Sequence, residues 1–186
     1  AKSIKDTVIL MTPLATEAQV RITVEPMSGI YVSADRQRLK QVVMNLVSNA
    51  IKYNPGGEVH LTLATGSGRV RIGVRDNGPG IPEEKLSRLF QAFDRLDAER
   101  GSVQGTGLGL ALARHFTRAM GGDIEVESIA GKGSTFTIVL AKDERPNRYK
   151  DTMDISAIIL DPNRTSGSLK LLYVEDNQAN VELMES

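Results

Sequence analysis

The sequence predicts an α+β domain, a mostly antiparallel sheet with helices packed on one face. Paired runs of alternating apolar and polar residues, joined by glycine-rich turns, read as hairpins at 59–74 and 124–140. Helically spaced apolar residues fill other stretches, most clearly 35–54. The two kinds of run are mixed along the chain, which defines the class. At 186 residues and 40% hydrophobic, the chain can form one such domain with a proper core, plus a tail.

In order, Ile4 to Val20 has helical apolar spacing, with Pro13 expected to break or kink it outside a first turn. Arg21 to Glu25 and Ile30 to Val32 read as short strands flanking a turn at Pro26 to Gly29. Asp35 is a good N-cap for the next helix, which buries Leu39, Val42, Val43, Leu46, Val47, Ala50 and Ile51. Asn54-Pro55-Gly56-Gly57 stops it. Val59 to Ala64 and Arg69 to Val74 form the first expected hairpin. Asp76-Asn77-Gly78-Pro79-Gly80 is too glycine-rich for regular structure and precedes a short helix from Pro82 to about Phe93. Asp94 to Gln104 is polar and expected as a mobile loop. Gly105 to Leu110 leads into a helix ending near Gly121-Gly122, and the second hairpin turns across Ala130 to Gly133. The expected domains are 1–142, a polar linker at 143–168, and a new strand and helix opening at 169–186.

Lys plus Arg (23) equals Asp plus Glu (23), so no overall field invites nucleic acid or an anionic membrane. The absence of cysteine removes disulfides, thiolate metal sites and cysteine nucleophiles. No apolar run approaches a membrane span, and Ala1 begins no signal peptide, so a cytoplasmic fragment of a longer protein is expected.

Asn45, Asn49, Lys52 and Tyr53 share a helix face beside the buried stripe. Asparagine is a mediocre helix former and costly to bury unpaired, so the pair reads either as ligand-binding or as a solvated stripe. Three glycine clusters invite the same question, because close approach to a phosphate is a common reason for them. The usual phosphate motifs fail: Gly131-Lys132 has Val126 five residues before Gly131, and Gly105-x-Gly107-x-Gly109 has the wrong dinucleotide spacing. Asp76, at the end of a strand, could accept from an amine in a pocket or cap its own turn.

In order and spacing, NLVSNAIKY, DNGPGI, LFQAF and GTGLGL resemble the asparagine, first glycine, phenylalanine and second glycine boxes of sensor histidine kinases. The closing GKGSTFTIVL resembles the end of the same domain, so the likeness covers about Lys2 to Lys142. It implies a Bergerat fold, a two-layer α/β sandwich binding ATP and magnesium under a flexible lid. Asn49 then matches a magnesium ligand, and Lys52 and Tyr53 match positions near the phosphates and ribose. Asp76 matches the carboxylate that takes the adenine amine, with Gly78, Gly80 and the adjoining Ile81 at the base. Thr135 matches a hydroxyl linked by water to the same adenine edge. Gly105, Thr106, Gly107, Leu108 and Gly109 match the lid hinge and a helix start facing the phosphates. Phe90 and Phe93 match residues that pack the base of the lid.

Asn45 stands where ATPase relatives carry a glutamate that activates water. An amide is no general base, so the resemblance favours a kinase, with Asn45 as a second magnesium-side residue. The alternatives are an ATPase of the same fold and a nucleotide-binding regulatory module without turnover. His60 and His115 lack the setting of a phosphoacceptor, which places that histidine on a separate dimerisation domain of the same parent. LKLLYVEDNQANVELME resembles the start of a receiver domain, with Glu175 and Asp176 as its acidic pair, implying a hybrid kinase.

Overall fold

A computed structural model of the chain describes residues 2–26, 30–94 and 107–143. Helix α1 (Lys2–Glu17) continues through Pro13, so of the expected break or kink the break does not occur. Pro13 leaves only one backbone carbonyl of the helix without its usual donor. Ile4, Thr7 and Ala15 are buried, so packing holds the helix across that gap. It ends in a Schellman motif: Gln19 takes φ +56°, Gln19 N–H donates to Thr16 O, and Val20 N–H donates to Ala15 O at 2.8 Å.

Strand β1 (Arg21–Val24) follows. The expected second strand is reduced to an isolated bridge between Val32 and Lys142, because Ile30–Val32 is too short to build a ladder. Helix α2 (Arg36–Lys52) starts at Asp35, whose carboxylate accepts from Arg38 N–H at 2.8 Å. Its seven predicted apolar positions are all buried. They share one core with Ala113, Val59, Leu61, Ile72 and Ile138, and α2 packs against both other long helices. Truncating a fully buried member such as Leu46 to alanine would cost about 2–5 kcal/mol.

Strands β2 (Glu58–Gly66) and β3 (Arg69–Asp76) join through Ser67-Gly68, both at positive φ, the turn whose twist suits a two-residue hairpin. The expected helix after Pro82 shrinks to α3 (Glu83–Leu86), followed by turns as far as Phe93, whose φ of +66° no helix accepts. Helix α4 (Gly109–Ala119) ends at Met120, with Gly121 at φ +75° closing it. Strands β4 (Asp123–Ile129) and β5 (Gly133–Ala141) form the last hairpin.

The sheet order is β1-β2-β3-β5-β4, parallel only between β1 and β2. Strand alternation sends Val70, Ile72 and Val74 of β3, with Phe136, Ile138 and Leu140 of β5, to the buried face. Asp76 continues that buried series by one step, so a carboxylate takes a place the pattern gives to an apolar side chain. Among the described residues no helix is long and apolar enough to cross a membrane. The expected mobile loop Asp94–Gln104, apart from Asp94 itself, and the expected linker and receiver start from 144 onward lie outside the described residues.

Candidate functional site

Between α2, the loop after β3, and the start of α4 lies a cleft of about 440 Å³. It brings together Asn45, Asn49, Lys52, Tyr53, Asp76, Gly80, Ile81, Gly107 and Gly109, residues scattered over 65 positions (109 less 45, both ends counted). Gly105 and Thr106 lie outside the described residues.

Asp76 is held at one oxygen. Its Oδ1 accepts from Gly78 N–H at 2.9 Å and from Ser134 N–H at 3.3 Å, and Oδ2 has no partner among the described residues. Burial raises its pKa above the ordinary 3.8, against the pull of those N–H groups. The turn-capping reading holds at Oδ1, and Oδ2 keeps its acceptor capacity at a cleft-lining residue.

The loop after Asp76 has little freedom. Gly80 sits at φ +64°, and a Cβ there would lie 2.0 Å from Ile129 O. Gly78 does not line the cleft; it supports Asp76 from behind, where a Cβ would meet Asp76 Oδ1 at 3.0 Å and Tyr53 O at 3.1 Å. Gly131 N–H donates to Pro79 O at 2.7 Å, tying the loop to the β4–β5 turn. Buried Asn54 donates to Asn77 Oδ1 at 2.8 Å and to Glu58 O at 3.0 Å, fastening the end of α2 to the same loop.

On the opposite side, Asn45 Nδ2 donates to Gly109 O at 3.2 Å, linking mid-α2 to the first residue of α4 and leaving Oδ1 as an acceptor. The Asn49 side-chain amide, half-buried in the cleft, has no hydrogen-bond partner among the described residues. Leu108, the residue before α4, provides no side-chain cap, so the first N–H groups of α4 have no capping side chain among the described residues. Leu108 itself does not line the cleft, whereas Gly107, at φ +72°, does. Lys52 is exposed at the rim, and Tyr53 is 44% exposed beside it.

After Gly78 and Leu108, a third expectation needs correction. Thr135 is not in the cleft: β5 pairs it with Arg75 and Glu127 on the far face, and Ser134, paired with Asp76, takes its place. A strand flips its side chains at every residue, so an error of one position crosses the sheet. Phe90 packs against the core with the Arg114 guanidinium 4.5 Å from its ring centroid, and Phe93 is 74% exposed at the edge of the described residues. Sequence reasoning also passed over Asn54 and Ser134; the β3–β5 pairing that sets Ser134 beside Asp76 joins strands that are not consecutive, so no local signal marked it.

Residues 34–144 match the family described as histidine kinase-, DNA gyrase B- and HSP90-like ATPase. The chain belongs to that family. Within it, the relatives are histidine kinases. The circadian input-output histidine kinase CikA of Synechococcus elongatus is 39% identical over 80% of this chain and 19% of its own length. The aerobic respiration control sensor protein ArcB of Escherichia coli is 33% identical over 92% of this chain and 22% of its own length. The chain therefore spans about a fifth of the curated relatives it matches. Among solved structures, the nucleotide-free catalytic domain of histidine kinase ThkA superposes with a TM-score of 0.66 at 30% identity, covering 76% of this chain and 91% of that one. Full-length ShkA in complex with AMPPNP gives 0.65 at 34% identity, covering 79% of this chain and 31% of its own. The fold is that of histidine kinase catalytic domains.

Proposed function

We propose that this domain binds magnesium-ATP and donates its γ-phosphoryl group to a histidine on a dimerisation domain of the same parent, a hybrid kinase that works in a phosphorelay. Asp76 carries the reading: a partly buried carboxylate with one oxygen fixed by backbone and the other unpartnered is suited to an exocyclic amine. Gly80 lines the cleft and cannot carry a side chain, because a Cβ would strike Ile129 O, so it offers the base bare backbone.

At the other end, Lys52 and the uncapped start of α4 offer positive charge to the phosphates. The donor set fits magnesium: the Asn49 amide is unpartnered in the cleft, and the Asn45 amide is turned by Gly109 O so that its oxygen is left to accept. Bound magnesium would neutralise charge on the phosphate oxygens. The residues of the chain then bind and orient, and none takes a proton from the attacking group. The imidazole of the acceptor would form the P–N bond as the bond to the ADP oxygen breaks. Asn45 disfavours the ATPase alternative because an amide cannot deprotonate water.

In this reading 1–142 is the catalytic domain, 143–168 a linker, and 169–186 the start of a receiver that takes the phosphoryl group next. The domain works in the cytoplasm, with no direct contact with membrane or nucleic acid.

The test uses γ-labelled ATP. The chain alone should bind nucleotide, stay unlabelled and hydrolyse only traces. Supplied in trans with the parent's phosphoacceptor helical hairpin, it should label that partner with an acid-labile bond. Rapid partner-free hydrolysis would favour an ATPase; labelling at His60 or His115 would refute a separate acceptor.

A further inference from the structure

We infer that Ser128 is a positioning residue for base selectivity, directing the proton of the Ser134 hydroxyl so that Ser134 meets the cleft only as an acceptor beside Asp76. This rests on the reading of the cleft as an adenine-nucleotide site.

Ser128, Ser134 and Asp76 form one row across β4, β5 and β3, at the end of the sheet that borders the cleft. The Ser128 oxygen has three neighbours: Ile81 N–H at 2.8 Å, Gly133 O at 3.0 Å, and Ser134 Oγ at 2.9 Å. A hydroxyl has one proton to give and two lone pairs to receive. Ile81 N–H can only donate, so it uses one lone pair. Gly133 O can only accept, so it takes the Ser128 proton. The contact with Ser134 then has a single direction left: Ser134 donates and Ser128 accepts. With its only proton engaged, Ser134 can offer the cleft lone pairs alone.

The next residue in the row has the same polarity. Asp76 Oδ1 is held by Gly78 and Ser134 N–H, and its remaining acceptor capacity faces no protein donor among the described residues. Where both acceptors face purine position 6, they match the two protons of a 6-amino group and oppose the lone pairs of a 6-oxo group; the adjoining N1, an acceptor in the first and an N–H donor in the second, is not met by this pair. A water bridging Asp76 and Ser134 keeps the rule. It gives both protons to them and turns its own lone pairs toward the base. Ser128 touches no nucleotide in this scheme; it acts through Ser134.

Calorimetry with ATP and inosine triphosphate tests this, because the two differ in what they present at purine position 6. Wild type should prefer ATP. Ser128→Ala frees the Ser134 hydroxyl to donate, and should shrink the ATP-to-inosine-triphosphate preference by about 3- to 10-fold, the weight of one neutral hydrogen bond. Ser134→Ala should shrink it comparably, the double variant no further than Ser134→Ala alone, and Ser128→Thr, which keeps the hydroxyl, should restore it. Equal weakening of both nucleotides by Ser128→Ala would make Ser128 only a brace for the loop and overturn the inference. Additivity in the double variant would overturn it too. If melting curves show Ser128→Ala unfolded, Ser134→Ala decides, since it leaves the Ile81 and Gly133 bonds in place; an unchanged preference there refutes the scheme. A wild type that does not prefer ATP would instead overturn the adenine reading itself.

Discussion

Replacing Asp76 with asparagine separates its two oxygens. The isosteric amide keeps an acceptor for Gly78 and Ser134 N–H, so the loop should stay in place. What changes is the atom toward the cleft, from an anionic acceptor to an NH₂ donor that opposes the adenine amine. A hydrogen bond to a charged group contributes about 1.5–3 kcal/mol, so ATP affinity should fall about 10- to 150-fold. ADP should fall by the same factor, because the contact is made to the base and not to the phosphates. Calorimetric titration of both nucleotides at constant magnesium reads this directly. The pH dependence adds a second check. Burial raises the Asp76 pKa above 3.8, so wild-type affinity should climb as pH rises through that elevated value, while the asparagine variant should lack this step. Stability has the opposite sign: a raised carboxyl pKa gives stability present below pH 3.8 and lost as pH rises through the folded-state value. The variant should therefore be at least as stable as wild type at neutral pH. A loss of ATP affinity below threefold, or a loss confined to ATP, would refute the assignment of Asp76 to the base.

Asn49→Ala should spare ADP binding in chelator and remove most of the gain in ATP affinity that magnesium gives, as paired titrations would show. Gly80→Ala puts a Cβ 2.0 Å from Ile129 O at φ +64°, so the loop must shift; melting should show a loss of about 1–3 kcal/mol, with ATP affinity reduced as well. Asp123, held far below the usual carboxylate range chiefly by Arg114 and then by Arg118, is 41% exposed, which limits its contribution to about 1 kcal/mol. Its lowered pKa gives stability present above pH 3.8 and lost at more acid pH, so the melting deficit of Asp123→Asn at pH 7 should narrow as pH falls below that value.

The long periodic elements were legible because one force decides them. The stripe of α2 and the alternation of β2, β3 and β5 follow burial, and burial leaves a mark at fixed spacing. Short elements failed for the converse reason. Ile30–Val32 and the stretch after Leu86 bury too little to impose their own geometry, and Pro13 was overruled by packing that no local rule contains. The cleft was legible on its helix side, where Asn45, Asn49, Lys52 and Tyr53 share one turn-spaced face. It was misread on its strand side, where register decides everything. Thr135 and Ser134 are adjacent in sequence and on opposite faces of the sheet, and only the pairing of Asp76 with Ser134 distinguishes them. Asn54 looked like part of a helix stop, because its link to Asn77 spans 23 positions.

Gly107, which lines the cleft at positive φ, is also where the backbone comes back against Phe93. Phe93 N–H donates to Gly107 O at 3.2 Å, and the Arg88–Asp94 ion pair at 2.8 Å anchors the same end. A Cβ at Gly107 would lie 2.9 Å from the Phe93 carbonyl carbon, so the two backbones can meet only with glycine at this position. A side chain at Gly107 would therefore part Phe93 from the start of α4, and Gly107→Ala should lower the melting temperature even though no atom of its methyl group would enter the buried core.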